Sequence, residues 1–143
     1  GLRAGYALCP PGLATILHRV RDSYNLDRLA QVGAAAALAD TGWLHETVGK
    51  VRFERARLTS GLVALGWSVV PSSGNFILAT PASAQRSASP ATGEHAFAFF
   101  RERKILVRRF PNHPLTASAL RITVGTAAEM DAFLAAAQAW SEG

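Results

Sequence analysis

The chain has 143 residues, 49% hydrophobic and 17% charged, and this composition predicts one or two compact units with a packed core. Its net charge of +5 comes from 15 basic and 10 acidic residues, and all the basic residues except Lys50 and Lys104 are arginine. The arginines are scattered and form no basic run interleaved with aromatic residues, which argues against a nucleic-acid partner and favours anionic small ligands. No apolar stretch approaches the roughly 20 residues that a membrane span needs, so no membrane partner is predicted.

Several familiar kinds of site have no support in the sequence. Cys9 is the only cysteine, which excludes a disulfide within the chain and favours the reducing cytoplasm. The four histidines are far apart in the sequence and match no ligand spacing, so no metal site is predicted. The motifs of serine hydrolases, P-loop proteins and dinucleotide-binding proteins are also missing. Because the chain opens on Gly1-Leu2-Arg3 without a methionine, we expect no signal peptide and a parent protein that continues upstream.

The first 40 residues predict one short strand followed by two helices. Residues 2–8 resemble a strand, and Pro11 suits the first turn of a helix that runs to about Arg21. Asp27 is a suitable cap for an alanine-rich helix that continues to about Ala39.

A long amphipathic helix is the clearest element of the sequence. It covers about 24 residues, or about 36 Å at 1.5 Å per residue, and Gly66 is well placed to end it. Charged residues such as Glu54 and Arg57 are expected mostly on its polar side. Its apolar positions recur three and four residues apart, at Leu44, Val48, Val51, Leu58, Leu62 and Leu65. A helix of this length could connect two units.

From residue 67 onward, the predicted order is strand, strand, helix, strand, strand, helix, which describes a small α+β domain. Residues 80–93 are mostly small, polar or proline, and this composition predicts a mobile loop. The predicted strands and helices cover 67–70, 75–79, 94–103, 105–109, 119–124 and 127–140.

Two arginines alternate with apolar residues in the strands predicted near 105–109 and 119–124. Ile105 and Val107 share one face of their strand and leave Arg108 on the other. Leu120 and its apolar neighbours do the same for Arg121. If the two guanidinium groups converge, they can clamp a dianion; if they do not, they are solvated charges, and the pattern leaves both readings open. Arg3 has a similar pair of readings, a strand-end salt bridge or a ligand contact beside Gly5.

Five short segments carry a resemblance to a known family. The chain opens with Gly1-Leu-Arg3-Ala-Gly-Tyr6, and Leu120-Arg-Ile-Thr-Val-Gly-Thr126 followed by Glu129 lies near its end. The first segment resembles the one that follows the catalytic lysine in class I and II aminotransferases, and the last resembles the C-terminal signature of histidinol-phosphate aminotransferases. The segments between them fall in the same order and at similar distances: Tyr24-Asn25-Leu26, Ser73-Gly-Asn75-Phe-Ile-Leu78 and Ile105-Leu-Val-Arg108.

The resemblance implies a role for four residues. Arg3 matches the arginine that holds the phosphate of the cofactor, pyridoxal 5'-phosphate. Arg121 matches the arginine that binds the substrate carboxylate and, in this subfamily, also meets the phosphate of histidinol phosphate. Arg108 matches a second arginine for that phosphate. Asn75 matches an asparagine near the domain junction with a structural role, and we count it with Arg108 and Arg121 among the expected substrate-binding residues. Tyr24-Asn25 is similar to a turn near the family's site, but its neighbours depart from the pattern, so no role is assigned to it.

The resemblance also implies an α/β fold with an α+β C-terminal subdomain. It places the end of the large cofactor-binding domain at 1–40, an interdomain helix at 41–66 and the small domain at 67–143. The lysine that binds the cofactor would lie upstream of Gly1, so no catalytic residue is expected in this chain, and neither Lys50 nor Lys104 is expected to lie in a hydrophobic pocket. The parent protein is expected to be a cytoplasmic homodimer.

The implied reaction converts histidinol phosphate and 2-oxoglutarate to imidazole-acetol phosphate and glutamate. This fragment alone is expected to be inactive. Three alternatives stay open: a related aminotransferase for aromatic amino acids, a phosphothreonine decarboxylase, and a non-catalytic basic domain that binds anions or nucleic acid.

Overall fold

The structure is a computed structural model that describes residues 2–81 and 90–142. It divides into two compact units, Gly1–Glu46 and Thr47–Gly143. No helix in the described residues combines the length and the hydropathy that a bilayer crossing requires. The elements in chain order are α1 (Pro11–Val20), α2 (Arg28–Ala39), α3 (Thr41–Ala64), β1 (Ser68–Val70), β2 (Phe76–Thr80), α4 (Pro90–Glu102), β3 (Leu120–Thr123) and α5 (Ala127–Glu142).

The first unit contains the two short helices that the sequence predicts. Pro11 begins α1, where its missing N–H costs no hydrogen bond. Asp27 caps α2, because its carboxylate accepts a hydrogen bond of 2.9 Å from the Ala30 N–H. The strand predicted at 2–8 is wrong: these residues are exposed and pair with no strand in the described part of the chain. A strand is stable only beside a partner, so a strand-like composition alone was not enough.

Helix α3 has the predicted length of 24 residues and ends just before Gly66, as predicted. Gly66 adopts a φ of 81°, which favours glycine, and the Trp67 N–H returns to the Leu62 carbonyl at 3.0 Å. The predicted apolar stripe is only partly packed. Leu58 and Leu62 are fully buried, whereas Leu44 is 44% exposed and Val48 is 37% exposed.

Glu54 is buried on α3, contrary to its predicted place on the polar side. Its carboxylate accepts hydrogen bonds from Arg57 Nε at 2.9 Å and from Arg57 Nη2 at 2.6 Å. Arg57 also binds Asp131 on α5 and the Ala127 carbonyl. Hydrogen bonds to Glu54 and then to Asp131 raise the pKa of Arg57 above its usual value. A buried carboxylate is tolerated here because it is paired, and the paired arginine also connects α3 to α5.

The three strands form an antiparallel sheet in the order β1-β2-β3. The turn between β1 and β2 is closed by Ser72, whose hydroxyl donates to the Phe76 carbonyl at 2.6 Å and accepts from the Gly74 N–H. These strands and the final helix confirm the predictions at 67–70, 75–79, 119–124 and 127–140 to within one or two residues at each end.

The predicted strand at 105–109 is reduced to one residue pair, Arg108 with Arg121. An antiparallel ladder that continued from this pair would next join Phe110 to Ala119. The Ala119 N–H instead bonds the Thr116 carbonyl at 3.0 Å, within a turn, so the ladder cannot extend. The alternation of apolar residues places Arg108 as predicted, but the turn at Thr116–Ala119 uses the N–H that a longer strand would need.

One face of the sheet packs against the helices to form the core of the second unit. Phe100 on α4 and Phe133 on α5 stack with ring centroids 4.8 Å apart, and Trp67 meets both rings edge-on. The sheet contributes Ile77, Ala79, Leu120 and Ile122 to this core. The opposite face carries Phe76, Leu78, Arg121 and Thr123, as strand alternation requires.

Helix α4 starts at Pro90, earlier than predicted, so Pro90–Gly93 belongs to a helix and not to the mobile loop predicted at 80–93. Most of that loop, residues 82–89, lies outside the described residues. Gly93 lets α4 approach the main chain closely: a Cβ there would lie 2.8 Å from the Ala117 carbonyl oxygen and from Ser118 main-chain atoms. This contact fixes α4 against the segment that leads into β3.

Candidate anion-binding site

Arg108 and Arg121 lie directly opposite each other across two antiparallel segments. The Arg108 N–H donates to the Arg121 carbonyl at 3.0 Å, and the Arg121 N–H donates to the Arg108 carbonyl at 2.7 Å. Residues that exchange both bonds in this way point to the same face of a sheet. That face is opposite to the one on which Leu120 and Ile122 are buried. The expected placement of the two arginines on neighbouring segments and on one side of the sheet is therefore confirmed.

Arg121 is half-buried and has a donor without an acceptor. The carbon of its guanidinium group lies 4.5 Å from the centre of the Phe76 ring. Its Nε is buried and has no hydrogen-bond partner among the described residues. A buried donor without a partner costs free energy, so an acceptor brought by a ligand would stabilise this side chain.

Arg108 is more exposed and rests against a second aromatic ring. Its guanidinium carbon lies 5.2 Å from the centre of the Phe110 ring. Within residues 2–81 and 90–142, neither Arg108 nor Arg121 forms an ion pair with a carboxylate. Two arginines that pair across the strands and have no carboxylate partner in the described residues favour binding of an anion, and a phosphate offers oxygens for both.

Asn75 precedes β2 and takes part through its main chain. Its carbonyl accepts a hydrogen bond of 2.8 Å from the Val124 N–H and so extends the pairing of β2 with β3. In the described part of the chain, no hydrogen bond joins the Asn75 side chain to either arginine. Its role as a substrate-binding residue stays a prediction.

Arg3 belongs to the first unit and lines a pocket there. Its backbone has a φ of 59°, which is uncommon for a residue other than glycine. The pocket has a cavity volume of about 380 Å³ and is mostly apolar, with Leu2, Tyr6, Gly33 and Leu38 among its lining residues. The alternative of a strand-end salt bridge is wrong for the described residues, which provide neither a strand at this position nor an ion-pair partner. Arg3 is exposed, and its role as a cofactor-binding residue stays a prediction.

Phe76 and Phe110 are site residues that the sequence interpretation missed. Each has a signal in the sequence: Phe110 follows Arg108 by two residues, and Phe76 follows the asparagine of a matched segment. A separation of two places side chains on one side of an extended segment, so the pairing of Arg108 with Phe110 could have been found. The pairing of Phe76 with Arg121 depends on strand register, which one sequence does not supply.

The signature segment near the end of the chain also contains a helix cap. The Thr126 N–H and hydroxyl donate to one Glu129 carboxylate oxygen at 2.7 and 2.8 Å, and the Thr126 hydroxyl accepts from the Glu129 N–H. This reciprocal arrangement is a capping box for α5, and the Thr126-x-x-Glu129 spacing signals it in the sequence. The hydrogen bonds, first from the main chain and then from the hydroxyl, lower the pKa of Glu129 below its usual value.

We predict that this cap weakens in acid. A carboxyl group whose folded-state pKa is depressed contributes stability above its unfolded-state pKa and loses it as the pH falls through the folded-state pKa. The unfolding free energy of the chain should therefore decline below about pH 4.5, the ordinary value for Glu129. Glu129→Gln should reduce that decline. Urea denaturation of both proteins between pH 7 and pH 3 measures it, and equal declines would contradict the prediction.

Comparison with known proteins identifies the family of the chain. The family described as aminotransferase class I and II matches residues 1–136. The chain belongs to this family. Its membership confirms the family expected from the sequence segments and, with the mixed helix and sheet architecture, the expected fold class.

Two relatives are histidinol-phosphate aminotransferases, from Geotalea daltonii and Gluconacetobacter diazotrophicus. The first is 44% identical over 131 residues, which cover 92% of this chain and 35% of the relative. The second is 50% identical over 129 residues, which cover 88% of this chain and 34% of the relative. The chain therefore spans about a third of the length of the curated relatives it matches.

Solved structures show the same fold. A histidinol-phosphate aminotransferase from Sinorhizobium meliloti, in complex with pyridoxal 5'-phosphate, is 25% identical with a TM-score of 0.77, and the match covers 92% of this chain and 35% of that one. The enzyme of the same name from Clostridium acetobutylicum gives a TM-score of 0.77 at 22% identity, and the match covers 92% of this chain and 38% of that one.

The described residues contain no group of three or more His, Cys, Asp or Glu side chains that could hold a metal ion.

Proposed function

We propose that this chain is the C-terminal part of a pyridoxal-phosphate-dependent histidinol-phosphate aminotransferase. The observation that carries the proposal is the pair Arg108 and Arg121, side by side on one face of the sheet and without a carboxylate partner in the described residues. The family and the names of the relatives support the same conclusion. The whole enzyme would convert histidinol phosphate and 2-oxoglutarate to imidazole-acetol phosphate and glutamate.

The proposed roles of the arginines follow from charge and geometry. A phosphate monoester carries about −1.5 to −2 charges at pH 7 and has three acceptor oxygens, so two guanidinium forks bind it better than one. Arg121, with its unpartnered Nε, would bind the substrate carboxylate and share the phosphate. Arg108, which is more exposed, would bind only the phosphate and not the carboxylate. Asn75 would support the pairing of β2 with β3 beside them.

Pyridoxal phosphate would be held in this chain by Arg3. The fit is supported by an exposed guanidinium group without an ion-pair partner among the described residues and by the apolar pocket beside it. When bound, the cofactor supplies an electron sink for the bond that breaks at the substrate carbon. The two lysines of this chain, Lys50 and Lys104, are both exposed, whereas a lysine that must be neutral to react is usually desolvated. The cofactor's lysine would therefore come from elsewhere in the whole protein.

The proposed domain organisation keeps the boundaries set by the resemblance. Residues 1–40 would end the large domain, 41–66 would form the interdomain helix, and 67–143 would form the small domain. We further propose a cytoplasmic homodimer, as is usual for this fold. The lone cysteine favours a reducing compartment, and large apolar side chains exposed on α2 and α3, such as Leu29, Val32 and Trp43, favour association.

A transamination assay tests the function. The whole enzyme, supplied with pyridoxal phosphate, histidinol phosphate and 2-oxoglutarate, should form glutamate, and the 143-residue chain alone should form none above the rate of free cofactor. The reason is that no desolvated lysine is available in the chain. Turnover by the chain that is lost in Lys50→Ala or Lys104→Ala would contradict this assignment. Release of carbon dioxide from phosphothreonine, or a preference for aromatic amino acids, would select one of the related enzymes instead.

A further inference from the structure

Phe76 lies next to Arg121 on the face of the sheet that carries the arginine pair. The register places Phe76 opposite Thr123 and Leu78 opposite Arg121, so Phe76 is the diagonal neighbour of Arg121. The guanidinium carbon lies 4.5 Å from the ring centre. Resting on the function proposed above, we propose that Phe76 is a positioning residue: its ring holds the Arg121 guanidinium group in the orientation that binds the anionic end of the substrate.

The ring can orient Arg121 without using any of its hydrogen-bond donors. A guanidinium group over an aromatic ring is attracted to the face of the ring, while its N–H donors lie in the guanidinium plane. A carboxylate partner would orient the arginine equally well but would occupy the donors that a substrate needs. The described residues provide no such carboxylate for Arg121, and its buried Nε has no acceptor. Phe76 therefore restricts a flexible side chain and leaves its donors free.

Hydrogen bonds hold the main chain at Phe76 and at the residue before it. The Ser72 hydroxyl donates to the Phe76 carbonyl at 2.6 Å, and the preceding residue, Asn75, accepts a hydrogen bond of 2.8 Å from the Val124 N–H. The Phe76 side chain is 39% exposed, so its ring lies at the surface of the face and not in the core. A partly exposed ring contributes little to the core, which makes a substitution at this position informative about Arg121.

The test compares Phe76→Leu and Phe76→Tyr in the whole enzyme. Phe76→Leu should raise the KM for glutamate and the Kd for inorganic phosphate about three- to tenfold, the size expected for a contact between an arginine and a partly exposed ring. Phe76→Tyr keeps an aromatic face and should stay within about twofold of the original protein. Phe53→Leu, on an exposed ring of α3 with no arginine over it among the described contacts, is the matched control and should change neither constant.

The readouts separate this inference from a merely structural role and from the proposed function. A structural role would lower the melting temperature and kcat in Phe76→Leu without a selective change in KM or Kd, and that result would overturn the inference. A tyrosine variant as weak as the leucine variant would also overturn it. If the original enzyme does not transaminate but binds phosphate, the proposed function fails while the phosphate measurement still decides the role of Phe76. If the original enzyme neither transaminates nor binds phosphate, both fail.

Discussion

Arg121→Ala in the whole enzyme is expected to reduce the affinity for both substrates, glutamate and histidinol phosphate, by about ten- to a hundredfold. Loss of a charge-assisted hydrogen bond costs roughly 1.5–3 kcal/mol, which corresponds to this range of affinity. Arg121 is expected to affect both substrates because it would bind the carboxylate of one and share the phosphate of the other. Steady-state kinetics with each substrate varied in turn measures the effect.

Arg108→Ala is the matched control for this prediction. The two residues form one cross-strand pair and differ in their proposed ligands. Arg108→Ala should therefore reduce the affinity for histidinol phosphate by a similar factor and leave the affinity for glutamate nearly unchanged. Equal losses for both substrates in Arg108→Ala would remove the reason for assigning phosphate specificity to this residue. If Arg121→Ala leaves the kinetic constants for both substrates unchanged, the proposal that the two arginines bind the substrate together is wrong.

Phe100→Ala is expected to reduce the unfolding free energy of the chain by about 3–5 kcal/mol, the cost of removing a large aromatic side chain from a packed core. Phe100 is fully buried, stacks on Phe133 at 4.8 Å and meets Trp67 edge-on at 6.1 Å. Urea denaturation followed by tryptophan fluorescence measures the loss, since Trp67 lies in the same cluster.

Leu106→Ala provides the comparison for the core prediction. Leu106 is 87% exposed, so its truncation should change the unfolding free energy by less than about 0.5 kcal/mol. A loss in Phe100→Ala as small as that in Leu106→Ala would mean that the aromatic cluster does not form the centre of the second unit.

The elements that could be predicted from the sequence are those in which local chemistry decides the structure. Asp27 caps α2, Gly66 ends α3, and the alternation around Arg121 gives the faces of β3, because each depends on residues close in sequence. The strand expected at 105–109 failed because the Ala119 N–H is bonded within a distant turn. The strand expected at 2–8 failed because a strand depends on a partner, which its own residues do not reveal.

The site was predictable to a similar extent. Alternation placed Arg108 and Arg121 away from the apolar faces, and the resemblance gave them roles, but only the cross-strand pairing brings them side by side. The aromatic neighbour of Arg121 depends on the register of β2 against β3, and the burial of Glu54 depends on how α5 packs on α3. Both are long-range arrangements, so patterns within one segment do not reveal them.

The two hydrogen bonds between Arg108 and Arg121 also protect the sheet from unwanted assembly. A free strand edge is a template for pairing with another chain, and β3 lies at the edge of this sheet. The Arg108 main chain occupies the middle of that edge, and β1, at the other side, has only three residues. Because this protection comes from main-chain atoms, it does not depend on the side chain at position 108. Evolution or design can therefore change the ligand preference at this position without exposing the edge to aggregation.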